Sequence, residues 1–388
     1  MPQNDYTDPV SRRVRIPTGL DCNENCRFCY YFDQLNTKRY TTPEMTAKID
    51  FARERGIKDL DFSGGEPTLR KDLPELIKKA RGEGFRRICI ITNGTRTRDE
   101  GYFKGLVDCG MDEILLSVHG HDDATHSEAV GRKNSWQNID GTVRNAKKYG
   151  VRLRTNTVVS KLNYGFLDKV AGYLSKIRPA AVNFICFNDW NRASELTAEL
   201  ACRYSEAAPA LMKAVDVLAD SVSKVSVRYV PFCFLPGYER HVCDILQNEY
   251  DPDEWIDPVK TAVTFEDPGG EKTKKYCGRL YSDFTDNAAE VMAGLEGLYR
   301  KEDLDNPGIF DGLPEKYMRI AHRADRAGVR MRGYVKANQC LSCSRRKICD
   351  GLEKTYADVI GTSELKTVHG RVIDDPFYFR RDYSKQWA

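Results

Sequence analysis

Residues Val14 to Tyr31 read VRIPTGLDCNENCRFCYY. A short apolar run, Val14 to Pro17, is followed at once by three thiols, Cys22, Cys26 and Cys29, at the spacing C-x3-C-x2-C. A strand that carries its chemistry on the loop at its C-terminal end is the repeating unit of parallel α/β sheets and barrels. What lies downstream decides whether the unit repeats.

It does so five more times. Strand candidates fall at Leu60 to Phe62, Ile88 to Thr92, Glu113 to Val118, Val151 to Val159 and Ala181 to Phe187, each a short apolar run between stretches of helical period. Thr41, Thr42 and Pro43 with Glu44 behind them mark a helix start, and apolar Met45, Ile49 and Phe51 continue it. Further helices are predicted over Leu73 to Glu83, Asp99 to Cys109, Trp136 to Tyr149, Tyr164 to Lys176 and Cys202 to Val222. The expected fold is therefore α/β: a partial (β/α)6 TIM-like barrel over residues 12–223. After Lys224 the rhythm gives way to Pro-, Gly- and Asp-rich segments such as Asp251 to Pro258 and Glu266 to Gly270, so residues 224–388 are expected to form a smaller, irregular domain, with one helix over Glu315 to Ala327.

The chain has 388 residues, 41% of them hydrophobic, enough to bury a full core. Sixty basic and 57 acidic residues leave a formal charge of +3, too balanced to advertise nucleic acid or an anionic membrane as partner, though compatible with a bound anionic small molecule. No run of about 18 apolar residues suggests a membrane span, and Met1 to Val14 has no signal-peptide core, so a cytoplasmic location is expected. Thirteen cysteines is an odd number in a chain too large to need disulfide staples, which favours metal or redox chemistry.

Three thiolates on one short loop can hold three corners of an iron–sulfur cubane and leave one iron without a protein ligand. Zinc is the alternative, although it prefers four protein ligands in paired knuckles. The loop resembles the signature of the radical S-adenosylmethionine (SAM) superfamily, including aromatic Phe28 before the third cysteine. The resemblance implies a [4Fe–4S] cluster on Cys22, Cys26 and Cys29, with SAM chelated to its open iron and Phe28 beside the adenine. It extends to Ser63 to Arg70, SGGEPTLR, where Gly64, Gly65 and Glu66 match a segment that contacts the methionine amino group. Asn93, Ser117 and Asn156 resemble, less specifically, strand-end residues that hold the SAM carboxylate and ribose; ordinary caps and turns are the other reading. His119, His121 and His126, in VHGHDDATHSE, read as solvated loop histidines lining a pocket mouth, and no catalytic residue is assigned.

Cys340, Cys343 and Cys349, in QCLSCSRRKICDG, have the spacing C-x2-C-x5-C. They resemble the auxiliary-cluster domains of SPASM and twitch type, although Glu353 stands where a further cysteine would follow. One auxiliary [4Fe–4S] cluster is expected, its fourth ligand open or drawn from Cys233, Cys243 or Cys277, with Cys233 and Cys277 preferred; a zinc knuckle is the alternative. Cys89, Cys109, Cys186 and Cys202 fall in predicted strands and helices, where a buried inert thiol is the default.

The function implied is reductive SAM cleavage and hydrogen abstraction from a small-molecule substrate, in a net oxidation if the auxiliary cluster takes an electron. An electron donor such as flavodoxin or ferredoxin is implied as partner. Modification of a ribosomal peptide is a second reading, lowered by the dozen residues that precede the first strand. A non-catalytic iron–sulfur or zinc scaffold or sensor is a third; it would leave the GGEP turn without a purpose.

Overall fold

A computed structural model describes residues 13–54, 57–189, 194–248, 251, 253–255, 333–373, 375–376 and 378–380. Cys277 and the helix expected over Glu315 to Ala327 lie outside the described residues. Seven parallel strands form one curled sheet in the order of the chain: β1 (Arg13–Pro17), β2 (Asp59–Ser63), β3 (Arg87–Thr92), β4 (Glu113–Ser117), β5 (Arg152–Val159), β6 (Ala181–Cys186) and β7 (Val225–Arg228). The helices are α1 (Thr42–Glu54), α2 (Leu73–Gly82), α3 (Glu100–Asp108), α4 (Asp123–Val130), α5 (Trp136–Lys148), α6 (Leu167–Ile177), α7 (Ser194–Leu200), α8 (Tyr204–Leu218) and the short α9 (Ile245–Asn248). The result is a half-barrel of TIM-like type, with the six expected strands in place.

Two elements depart from the sequence pattern. β7 adds a strand beyond residue 223, where that pattern predicts the barrel to end; four residues, VSVR, are too short for their alternation to stand out. α4 lies within the stretch read as a polar loop. Its start is a capping box in which the Asp122 side chain accepts from the Thr125 amide at 2.9 Å while the Asp122 amide donates to Thr125 Oγ1, and it ends at Gly131 in the left-handed region. Its residues, DATHSEAV, lack an apolar run, so only the cap signals it.

Strand alternation divides the core in two. Val14, Ile16, Leu60, Phe62, Ile88, Ile90, Ile114 and Leu116 join the buried cluster that includes helix residues such as Leu76, Ile77, Phe103 and Ile139. The other register turns charge into the barrel. Arg13 pairs with Asp61 and, at 3.0 Å, with Glu113; Arg154 Nε donates to Glu113 at 2.6 Å; Arg152 reaches Glu113 at 2.9 Å and Asp253 at 3.0 Å. Lys224 pairs with Asp251 and Asp253, and Arg228 with Glu254. Asp251, Asp253 and Glu254 therefore supply carboxylates to cations of the barrel interior, and Trp255 Nε1 donates to Asp61 at 3.0 Å. Single bridges from Arg13 to Trp255 and from Val227 to Val242 meet the two edge strands. Buried ion pairs of this kind specify one arrangement more than they add stability.

The C-terminal segment packs on the same body. β8 (Tyr334–Val335) and β9 (Leu352–Glu353) pair antiparallel, and α10 (Lys354–Ile360) follows. Tyr356 stacks on Tyr204 with ring centroids 4.4 Å apart, and Asp350 accepts from the Ile245 amide at 2.8 Å. Glu353 caps α10 by accepting from the amides of Thr355 and Tyr356.

Candidate cluster and cofactor site

The loops after β1 to β6 open onto one cavity of about 270 Å³. Cys22, Cys26, Cys29, Phe28, Gly64, Gly65, Glu66, Asn93, Ser117 and Asn156 all line it. The three cysteines are free thiols, and a turn closed by Cys29 N–H on Cys26 O (2.9 Å) bends the loop between them. Burial pushes Cys22 up to about 12 and Cys26 in the same direction, so these thiols ionise only beside a strongly cationic centre. Glu24 sits among them, accepting from the Cys26 thiol at 3.8 Å; burial, reinforced by the charge of Glu66, pushes its carboxyl up to about 8. Three thiols on one short loop suit a cubane with one open iron better than a tetrahedral zinc, and the other cysteine that lines the cavity, Cys186, stands apart from that loop at the end of β6.

The glycines of the SGGEP turn have a second task. A Cβ on Gly65 would stand 2.1 Å from Asp21 O, and one on Gly64, at φ +118°, 2.3 Å from Gly19 O. The turn therefore packs directly on the start of the cysteine loop, held by Gly65 N–H on Gly19 O (2.9 Å) and Glu66 N–H on Asp21 O (2.7 Å). Glu66 is buried and carries four donors: Oε1 accepts from Thr68 N, Thr68 Oγ1 and Thr92 Oγ1, and Oε2 from Asn93 N. Even so, burial raises its carboxyl above the ordinary range. Asn93 donates from Nδ2 to Asn23 Oδ1 at 2.7 Å, tying the end of β3 to the cysteine loop, while its Oδ1 accepts from Thr95 N. Glu66 and Asn93 are thus struts between loops as well as cavity-lining groups. Asn156 faces Ser117 in register and accepts from Asn183 Nδ2 at 2.8 Å.

The histidines are not solvated as the sequence pattern suggests. His119 and His126 are buried, because α4 folds the loop back over β4; only His121 keeps partial exposure. Burial holds His119 down at about 3 and His126 at about 4, so both are neutral at ordinary pH.

Several cavity residues carry no sequence motif. Arg15, Tyr30, Asn188, Arg228, Tyr229 and Trp255 also line the cavity. Arg15 and Arg13, two residues apart on β1, offered the one legible signal, a basic alternation within a strand. Trp255 comes from the segment outside the strand–helix rhythm. Arg15 lies 5.1 Å from the Trp255 ring and has no carboxylate partner among the described residues, unlike Arg13, Arg152, Arg154 and Arg228. Deeper in the barrel, Asp61, Cys89 and Glu113 bring potential ligand atoms within 4.8 Å of one another, but Arg13, Arg152 and Arg154 already neutralise both carboxylates there.

Of the second cysteine group, Cys343 N–H donates to Cys340 O (3.1 Å) and Cys349 N–H to Arg345 O (2.9 Å), which folds the three onto consecutive turns. Cys233, in the 3-10 turn Phe232–Phe234, lies close enough to Cys340 and Cys343 for their charges to act on it, and the Phe232 amide donates to Cys349. Burial pushes Cys233 up to about 11 and Cys349 to about 12. Cys243 is elsewhere, its thiol on Asn248 Oδ1 at 3.1 Å. Cys89, Cys186 and Cys202 are buried, Cys109 is partly so, and Cys186 borders the cavity.

The model of the radical SAM superfamily matches residues 16–165. A protein of Sulfurisphaera tokodaii named "Probable GTP 3',8-cyclase" is 31% identical over 164 residues, 41% of this chain and 51% of its own length. A 7,8-dihydro-6-hydroxymethylpterin dimethyltransferase of Methanocaldococcus jannaschii is 32% identical over 183 residues, 45% of this chain and 35% of its own length. The chain thus spans about half the length, or less, of these relatives. Among solved structures, SuiB of Streptococcus suis bound to S-adenosylmethionine aligns at 15% identity with a TM-score of 0.45, over 55% of this chain and 50% of that one. The matched segment runs from β1 past β5 and holds the three cysteines, the SGGEP turn and the strand ends that border the cavity; residues 16–165 are a radical SAM domain.

Proposed function

We propose that the chain is an enzyme that cleaves SAM reductively and abstracts hydrogen from a small-molecule substrate. The observation that carries this reading is the convergence of Cys22, Cys26, Cys29 and the SGGEP turn on one cavity. A [4Fe–4S] cluster held by Cys22, Cys26 and Cys29 would leave one iron open to SAM and would supply the electron for its reductive cleavage. The chain's part is to hold and orient. Cys22, Cys26 and Cys29 carry the cluster; Gly64, Gly65 and Glu66 present backbone and carboxylate to the SAM ammonium group. Asn93, Ser117 and Asn156 offer hydrogen bonds to its carboxylate and ribose, and Phe28 an aromatic wall to its adenine.

Arg15 lines the same cavity with no carboxylate partner among the described residues and suits an anionic group on the substrate. The GTP in the cyclase relative's name is a molecule of that class. A cavity of this size favours a small molecule over a peptide. Cys340, Cys343 and Cys349, with Cys233 beside them, fit one auxiliary [4Fe–4S] cluster of SPASM or twitch type in a domain after the barrel, and such a cluster would accept the electron of a net oxidation. A flavodoxin or ferredoxin is the proposed reductant, and the cytoplasm the proposed location.

Anaerobic incubation of the reconstituted protein with SAM and dithionite tests this. Formation of 5′-deoxyadenosine is expected; its absence with a full complement of iron would favour a scaffold, and zinc at Cys22, Cys26 and Cys29 would overturn the reading.

A further inference from the structure

His119 is locked on every side but one. Its amide donates to His126 Nδ1 at 3.1 Å, its carbonyl accepts from Asn163 Nδ2 at 3.1 Å, and its own Nδ1 accepts from the Val158 amide at 3.1 Å. The last bond decides the tautomer: a ring nitrogen that accepts from an amide carries no proton, so in the neutral ring the hydrogen sits on Nε2. Gly120 makes the arrangement possible, because a Cβ there would stand 2.3 Å from His126 N and keep α4 from closing on β4. Nε2 has no hydrogen-bond partner among the described residues, and the ring borders the cavity between Phe28, 4.6 Å away in edge contact, and Val158. A neutral N–H beside two apolar walls is matched to a heteroaromatic acceptor. The charged and hydroxyl-bearing parts of SAM are better served by Glu66, Asn93, Ser117 and Asn156.

We propose that His119 Nε2–H donates a hydrogen bond to a ring nitrogen of the SAM adenine, making His119 a cofactor-specificity residue; this rests on the reading that SAM occupies the cavity. His126 is then a positioning residue that holds the His119 backbone. Burial keeps His119 neutral at working pH, so the donor persists.

The test is binding of SAM and of its 1-deaza, 3-deaza and 7-deaza analogues to the anaerobically reconstituted protein by calorimetry, with cluster content checked by electron paramagnetic resonance. One of the three analogues, lacking the acceptor, should bind about 2- to 10-fold more weakly than SAM, the range of one neutral hydrogen bond. His119→Leu should weaken SAM by a similar factor and lose the discrimination, while His119→Gln, which keeps an N–H donor, should recover part of it. Equal binding of all three analogues to the unaltered protein overturns the assignment without any variant, and so does discrimination that survives in His119→Leu. Binding of SAM with 5′-deoxyadenosine formation but no analogue discrimination sinks this inference alone; no SAM binding at all sinks the function it rests on.

Discussion

Replacement of Glu66 by Ala should damage the fold before it affects the cofactor. The side chain is buried and receives two backbone amides, Thr68 N at 3.1 Å and Asn93 N at 2.8 Å, besides the hydroxyls of Thr68 and Thr92. The hydroxyls can turn to other acceptors; the amides are fixed. Two buried amides without acceptors cost about 1–3 kcal/mol each, about 2–6 kcal/mol together. Removal of a carboxylate that burial already disfavours offsets part of this, leaving about 2–4 kcal/mol. At roughly 2–4 °C per kcal/mol for a domain of this size, the apo chain should melt about 4–16 °C lower, read by circular dichroism. Glu66→Gln, which keeps an acceptor oxygen and the volume, should recover most of that stability, so a SAM affinity still reduced in Glu66→Gln reports the lost charge. An Ala variant that melts within about 1 °C of the parent would refute the strut.

Cys26→Ala should abolish 5′-deoxyadenosine formation, measured by chromatography, while the iron of the C-terminal group remains. Cys233→Ala should lower total iron and alter the spectrum of the auxiliary cluster without affecting SAM cleavage; full iron content with an unchanged spectrum would point to Cys277 or an open position. Acid should unfold the chain in two overlapping stages. His119 and His126, depressed by burial to about 3 and about 4, contribute stability that is present above about 6.5 and is lost as pH falls through those values. Burial opposes ionisation of Glu113, but Arg154, Arg13 and Arg152 outweigh it and hold the carboxyl at about 2, so its contribution is present above the ordinary 4.5 and fades towards pH 2. The urea midpoint should therefore fall from pH 7 to pH 5 and more steeply below 4.5; a flat or rising midpoint would contradict the buried neutral histidines and the paired carboxylate.

The sequence by itself determined the parallel α/β repeat, the cysteine loop and the glycine turn, because each is local: a strand period, a thiol spacing, a turn that needs small residues. Six strands were legible for that reason, and so were the cofactor-side residues carried by motif. β7 and α4 were not, since one is four residues long and the other is signalled only by the Asp122 cap. Tertiary structure alone decided what the strand ends face. It buried His119 by closing α4 over β4, made Glu66 and Asn93 struts, drew Cys233 towards Cys340 and Cys343, and brought residues 251–255 back to the barrel, so that Arg13 is paired with Asp61 while Arg15, two positions on, meets Trp255. Pairing of charges and closure of a cavity depend on chain segments far apart, 194 residues in the case of Asp61 and Trp255, and no local pattern encodes such a distance.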